Sequence, residues 1–479
     1  MPLSAESIKA AAQVTPSQRQ IEWQELEFYA FIHFTVNTFT DMEWGLGSED
    51  PRIFNPTEFD ADQWVDAVKS AGMKGLILTC KHHDGFCLWP SRYTEHSVKS
   101  SPWKEGKGDI VREVADACRR GGIKFGIYVS PWDRHEQTYG DSPVYNEFFK
   151  NQLTELLTEY GDIFCVWFDG ACGEGPNGKR QAYDWDGYYE LIRKLQPNAV
   201  ISVCGPDVRW CGNEAGHTRK SEWSVVPASL RDNEKISEQS QKADDGEFAK
   251  RINSGDSDLG SRERILGARE LVWYPAEVNT SIRPGWFYHP SEDDKVKPLE
   301  QLLNIYYGSV GGNASFLLNL PPDRRGLIHE NDVERLKQLG DVLRNTFGTN
   351  LSEDATARAA EEAADGHGAN AVLDGNRETF WRPKDETEQA SIEVELTEAQ
   401  TFNRVVLMEH IRSGQRIESF VLECKSDGEW KKIYEGTVVG YKRICCFEDV
   451  TAKALRLTVA ESRWFPTLSA FGVYRQTGI

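Results

Sequence analysis

The residues with chemical potential fall in five short blocks, and each block follows a run of apolar residues. His33 closes the first run. Lys81-His82-His83-Asp84-Gly85-Phe86 follows the second. Tyr128 closes the third, with Ser130-Pro131-Trp132-Asp133 just beyond it. The fourth ends in Asp169-Gly170, and the fifth is followed by Cys204-Gly205-Pro206-Asp207, Trp210 and Asn213-Glu214. Two reactions could use this set. One is hydrolysis at a metal held by His33, His82, His83 and Asp169, since imidazole and carboxylate both ligate hydrolytic zinc. The other is hydrolysis of a glycosidic bond by two carboxyl groups, Asp169 being one. Imidazoles would then hold sugar hydroxyls, because a neutral ring donates at one nitrogen and accepts at the other. Trp44, Trp132, Trp210 and Trp286 favour the second reaction, for their flat apolar faces suit the C–H surface of a pyranose.

Not all of these positions carry the same signal. Asp-Gly is a common turn pair, but an acid placed directly after six apolar residues is forced to the end of its element. Glu214 has no such signature. It is singled out because one carboxylate cannot complete the hydrolysis of an acetal, and Glu174 and Glu222 are its rivals. His82 and His83 are neighbours, so both can line one pocket only if the chain turns there, and Gly85 supplies the means.

The elements that must carry these blocks are read from periodicity. Strand-like runs occupy residues 28–34, 75–80, 124–129, 163–168, 200–203, 222–225 and 315–319, with a weaker one at 277–280. Helical patterns lie at 62–71 and 109–120, each stopping at glycine, and at 144–160, 188–195 and 298–307. About eight strand–helix units predict a (β/α)8-like barrel, whose polar blocks then gather at the carboxyl ends of the strands. The acidic stretch 233–259 reads as a loop after the sixth strand. Composition shifts near Gly348, and residues 350–370 are rich in Ala, Glu, Asp and Gly. Short strand-like runs follow at 391–396, 402–408, 419–423, 430–434, 454–459 and 470–474 with no helix between them, which predicts an all-β sandwich. The expected domains are residues 1–349 and 350–479.

Bulk properties narrow the partners. The 479 residues carry a net charge of −20, which disfavours nucleic acid and anionic membrane surfaces. No apolar run is long enough to span a bilayer, and the first twenty residues lack the pattern of a signal peptide. The ten cysteines are scattered, and Cys80, Cys165 and Cys204 sit in apolar runs, which reads as reduced, buried thiols. The expectation is a cytoplasmic protein with no cofactor.

The blocks Phe31-Ile32-His33-Phe34, Glu43-Trp44-Gly45, Lys81-His82-His83-Asp84-Gly85-Phe86, Trp167-Phe168-Asp169-Gly170 and Leu317-Leu318-Asn319 resemble glycoside hydrolase family 29, the α-L-fucosidases. That resemblance spans most of residues 20–345. It implies a metal-free, retaining hydrolysis with Asp169 as nucleophile, and His33, His82, His83 and Tyr128 as contacts to fucose. Ser130-Pro131-Trp132-Asp133 and Arg283-Pro284-Gly285-Trp286-Phe287 resemble the branch that acts on α-1,3/1,4-linked fucose of branched glycans. In that branch the acid/base is a glutamate on the loop after the fifth strand, which Glu214 matches. The substrate so implied is a fucosylated oligosaccharide. A catalytically inactive sugar-binding barrel is the other alternative to the metal hydrolase. Leu373-Asp374-Gly375-Asn376, Thr379-Phe380-Trp381 and Gly472-Val473-Tyr474 resemble a discoidin-type sandwich of the kind found in carbohydrate-binding modules. Such domains bind sugar or calcium in some proteins and brace a neighbouring domain in others.

Overall fold

The computed structural model describes residues 5–175, 177–232 and 258–478. The first strand, β1 (Phe28–Ile32), is buried along its whole length, as are β2 (Gly75–Lys81) and β4 (Cys165–Phe168). Strands covered on both faces are what near-continuous apolar runs produce in a parallel sheet. With β3 (Lys124–Val129) and β5 (Val200–Val203) they form one parallel half of the barrel, in the order β5-β4-β3-β2-β1. The next barrel strand, β6 (Arg209–Trp210), has only two residues.

The run at 222–225 does not supply the sixth strand. Val225–Pro227 (β7) pairs antiparallel with Leu271–Trp273 (β8), apart from the barrel. A two-residue strand has no period to read, whereas Trp223 and Val226 pack with Tyr274 and with Val438 of the second domain, and Val225 packs into the barrel core. Glu214 therefore follows the sixth strand rather than the fifth. The weaker run proves to be a full strand, β9 (Ala276–Ser281), which pairs with β6 on one side and with β10 (Ala314–Asn319) on the other. β10 pairs with β1, and a parallel bridge between Ser202 and Val208 brings β5 to β6, so the ring of eight nearly closes.

Local chemistry sets the helices between strands. Asp60 caps Ala61–Ser70 by accepting from Asp62 N and Gln63 N. Asp109 caps Ile110–Gly121, which ends at Gly122 in the left-handed conformation, φ 70°. The helices that escape the sequence reading include Gln18–Gln24 and the long Glu330–Phe347. Most of the expected acidic loop, at 233–257, lies outside the described residues.

The second domain is antiparallel. β11 (Thr356–Ala359), β12 (Ala390–Met408), β13 (Ile417–Ser426), β14 (Glu429–Gly436), β15 (Arg443–Ser462) and β16 (Ala470–Tyr474) form it. Two of the expected strands, 391–396 and 402–408, are halves of one strand. The register of β12 on β15 shifts between Glu395 and Gln400 and again between Phe402 and Arg404. At such irregularities a strand bends. The amino half of β12 pairs with β11 and the carboxyl half with β16, and the two halves enclose one core of Ile392, Val394, Leu396, Val405, Leu407 and Phe471.

This sandwich docks on the amino ends of the barrel strands. Glu27, just before β1, accepts from Tyr441 Oη at 2.8 Å and pairs with Lys442 Nζ at 2.5 Å. Asn313, just before β10, donates its backbone N–H to Lys442 O at 3.0 Å, and its side chain accepts from Tyr441 N at 2.7 Å. Ile411, Tyr441 and Ile444 join the apolar core of the barrel itself. The carboxyl ends of the strands lie at the other end of the barrel.

Candidate active site

Several strands deliver groups to the carboxyl-end mouth. Asp169 follows β4 directly. Its Oδ2 accepts from Tyr128 Oη at 2.8 Å, its Oδ1 accepts from Ala171 N at 2.9 Å, and its side chain keeps 25% of its surface exposed. The carboxylate is thus oriented by two donors yet open to a ligand. Tyr128, at the end of β3, stacks on Trp167 with 5.4 Å between centroids, so the donor is itself held from behind.

His82 and His83 both reach the mouth. The chain turns immediately after β2, where Gly85 N donates to His82 O and Gly85 has φ +77°. A Cβ at Gly85 would lie 2.4 Å from Asp133 Oδ1, so only glycine permits this turn. The two imidazoles sit with centroids 4.1 Å apart, and His83 Nε2 is 3.6 Å from Asp169 Oδ2. His33 lies just beyond β1, its ring 5.5 Å from that of His82.

The hydrogen bonds fix the tautomers. Asn319 Nδ2 donates to Trp286 O and Ser281 Oγ, so its Oδ1 must accept from His33 Nδ1 at 2.8 Å. Ser130 Oγ donates to Trp132 O and therefore accepts from His83 Nδ1 at 2.6 Å. Both rings are left with Nε2 as an acceptor. Burial drives all three imidazoles toward the neutral form. It lowers His33 to about 4 against the opposing Asn319 bond, and His83 to about 4 against the attraction of Asp169. His82 is lowered well below its ordinary value, by burial first and then by its two histidine neighbours. Its buried Nδ1 has no hydrogen-bond partner among the described residues, nor does Trp132 Nε1. Buried polar atoms are normally paired, so these two leave hydrogen-bonding capacity unspent beside the mouth.

Tryptophans wall the space. Trp44 stands perpendicular to Trp132 at 86° and 5.5 Å, and both contact His83. Trp286 packs 5.3 Å from His33 and donates from Nε1 to Glu214 Oε2 at 3.3 Å. Trp210, at the end of β6, is tied into the barrel wall by a 2.9 Å bond from its indole to Asn279 Oδ1. Glu214 is half-buried. The rival acids are differently placed. Glu222 is fully buried and paired with Arg209 at 2.7 Å and Arg219 at 3.6 Å, while Glu174 is exposed on a bridge to Arg180.

His82, His83 and Asp169 also bring three possible metal-ligand atoms within 4.8 Å of one another. His33 stands apart from that trio, its Nδ1 committed to Asn319. Aromatic walls, neutral imidazoles and one oriented carboxylate suit a polyhydroxylated ligand with an apolar face.

Several supporting contacts were not evident from the sequence. Buried Lys81 pairs with Asp133 at 2.9 Å and so ties the end of β2 to the loop bearing Trp132. Glu277, inside the barrel on β9, accepts from Trp167 Nε1 at 2.8 Å and from Tyr29 Oη, and burial raises it to about 7. Glu43 accepts from the backbone of Trp286 and Phe287. Nothing local distinguishes these acids from solvated ones; only the contacts do.

A parallel eight-stranded barrel with such a mouth has the form of a sugar-processing enzyme. Comparison with known proteins makes this specific. The model of the alpha-L-fucosidase family matches residues 4–346, and that of the F5/8 type C domain matches residues 355–470. Alpha-L-fucosidase 1 of Arabidopsis thaliana is 44% identical over 466 residues, covering 96% of this chain and 87% of its own. The crystal structure of a putative alpha-L-fucosidase from Bacteroides ovatus superposes with a TM-score of 0.86 at 46% identity, over 99% of this chain and 76% of that one. A Ruminococcus gnavus GH29 fucosidase solved in complex with fucose superposes with a TM-score of 0.84 at 32% identity, over 97% and 95%. The chain belongs to the alpha-L-fucosidases of glycoside hydrolase family 29 and is a glycoside hydrolase, with a C-terminal F5/8 type C domain. Among the described residues no helix is long and apolar enough to cross a membrane, and all ten cysteines are free.

Proposed function

We propose that this fucosidase retains configuration and removes terminal α-1,3/1,4-linked L-fucose from branched oligosaccharides, with Asp169 as nucleophile and Glu214 as acid/base. The observation that carries the reading is Asp169 itself, held by Tyr128 and a backbone amide at a strand end yet open to the mouth. Asp169 attacks the anomeric carbon and forms a β-linked glycosyl ester, while protonated Glu214 gives its proton to the departing oxygen. Glu214 then takes a proton from the water that opens the ester, and α-fucose leaves. Neutral His33, His82 and His83 hold sugar hydroxyls, His33 and His83 accepting at Nε2. Trp44, Trp132 and Trp286 cover apolar faces. The branch preference is supported by the Ser130–Asp133 and Arg283–Phe287 blocks, which supply two of those tryptophans.

The test is hydrolysis of α-1,2-, α-1,3-, α-1,4- and α-1,6-fucosyl oligosaccharides, with the first-formed anomer read by NMR. α-Fucose from the 1,3 and 1,4 substrates is expected; β-fucose as first product defeats the mechanism, and equal rates on all linkages defeat the branch preference. In parallel, prolonged chelation should leave kcat unchanged. Activity lost to a chelator and restored by zinc would favour hydrolysis through His82, His83 and Asp169 as ligands.

A further inference from the structure

The loop after β9 is clamped to the loop after β1 by one histidine. His289 Nδ1 lies 2.7 Å from Asp41 Oδ1, and His289 Nε2 lies 2.7 Å from Glu43 Oε1. Glu43 in turn accepts from Trp286 N at 2.8 Å and Phe287 N at 3.0 Å. A carboxylate cannot donate, so both imidazole nitrogens must carry protons and the ring is a cation. Glu292, on the same loop as His289, accepts from Gly285 N at 3.1 Å and adds a third negative charge nearby. The packing is close. A Cβ at Gly285 would lie 2.7 Å from Glu43 Oε1 and 2.8 Å from His289 Cδ2. The same loop carries Trp286, whose indole donates to Glu214.

We propose that His289 is a positioning residue: by bridging Asp41 and Glu43 it fixes the Trp286 loop, and through the Trp286 indole it sets where Glu214 delivers its proton. The inference rests on the reading of Glu214 as acid/base. The bond to Glu43, then that to Asp41, holds the imidazolium up to about pH 9 in spite of partial burial. Above that pH the neutral ring donates to one carboxylate only and turns a lone pair on the other, and the clamp loosens. Misplacement of a proton donor by an ångström costs up to about a hundredfold in rate. That cost falls on leaving groups that need the proton and spares those that do not.

The experiment measures kcat and KM from pH 5 to 10 on a fucosyl disaccharide and on an activated aryl fucoside, for the full chain and three variants. His289→Ala is expected to lose roughly ten- to a hundredfold in kcat/KM on the disaccharide and only about threefold or less on the aryl fucoside. Deprotonation of Glu214 gives a first alkaline fall on the disaccharide in both proteins; the unaltered enzyme should show a second fall near pH 9 that the variant lacks. Equal losses on both substrates, or the same second fall in the variant, would overturn the inference. Asp41→Asn removes one partner at a half-exposed position and serves if His289→Ala fails to fold. It should move the second fall to lower pH, and a second fall that stays put overturns the inference. Glu214→Ala is the control. If it shows the leaving-group dependence and His289→Ala does not, the inference fails and the acid/base assignment stands; if Glu214→Ala shows none, the assignment fails first and takes the inference with it.

Discussion

The two ends of the barrel use polar residues in opposite ways. At the amino end, charges are matched. Burial alone would raise the Glu27 carboxyl, but Lys442 and Lys74, with Arg377 behind them, hold it at about 2. Burial pulls Lys442 the other way, so the pair contributes less than Glu27 alone suggests. Glu222 is likewise enclosed by Arg209 and Arg219. At the carboxyl end, three imidazoles are buried and held neutral, although Asp169 stands beside His83; His82 Nδ1 and Trp132 Nε1 have no partner among the described residues, and Asp169 is open to the mouth. The amino end pairs its buried carboxylates with cations and gains a docked domain. The carboxyl end keeps neutral rings around an open carboxylate, at a cost in stability that the rest of the fold absorbs.

Substitutions at the two ends should therefore separate activity from stability. The largest effect is expected for Asp169→Asn. An amide is a poor nucleophile, so kcat should fall by roughly four orders of magnitude or more while Tm is kept. Near-normal turnover would remove Asp169 from the chemistry. Glu214→Ala should lose about a hundred- to ten-thousandfold on poor leaving groups and far less on an activated aryl fucoside. Azide should restore turnover of the aryl fucoside and give the α-fucosyl azide, because it enters on the face the leaving group vacated. A β-azide, or rescue at Glu174→Ala instead, would reassign the acid/base.

At the docked end, Glu27→Gln should leave kcat within about twofold and destabilise the protein by roughly 3 kcal/mol, since Lys442 stays buried without its partner. The contribution of Glu27 is present above the ordinary carboxylate pKa and is lost as pH falls through about 2, so the variant and the unaltered protein should converge in stability in strong acid. A variant whose kcat fell with its stability would show that the two ends are coupled. The smallest effect expected is spectroscopic. His33 and His83 titrate near 4 rather than 6.5, so their ring NMR signals should remain those of neutral imidazole at pH 5. Between pH 6.5 and about 4 the unfolded chain binds protons that the folded rings refuse, and stability should decline by roughly 1–3 kcal/mol per ring. Rings already charged at pH 6 would remove the contrast between the two ends.

The same contrast bears on the second domain. A domain seated on the amino ends, with Tyr441 and Ile444 in the barrel core, is placed to brace rather than to present glycans to the mouth. Cutting the chain after Phe347 would strip apolar contacts from the barrel floor, and loss of solubility is the expected result.

Strand-end chemistry was legible in the sequence because burial on both faces writes long apolar runs, and a polar block after such a run has one place to go. Asp169, the paired histidines and the alternation that makes a barrel all follow from that. Two-residue β6 was not legible, since a strand needs several residues before its pattern exceeds chance, and in the run at 222–225 Trp223 packs with the second domain while Val225 faces the barrel core. Nor could sequence show that Glu43 accepts two backbone amides and a histidine, or that Glu277 is buried without a cation. Acids of one residue type look alike along a chain. Which is solvated, which is clamped and which is left open depends on groups up to hundreds of residues away, and only the closure of the barrel and the docking of the sandwich bring those groups within hydrogen-bonding distance.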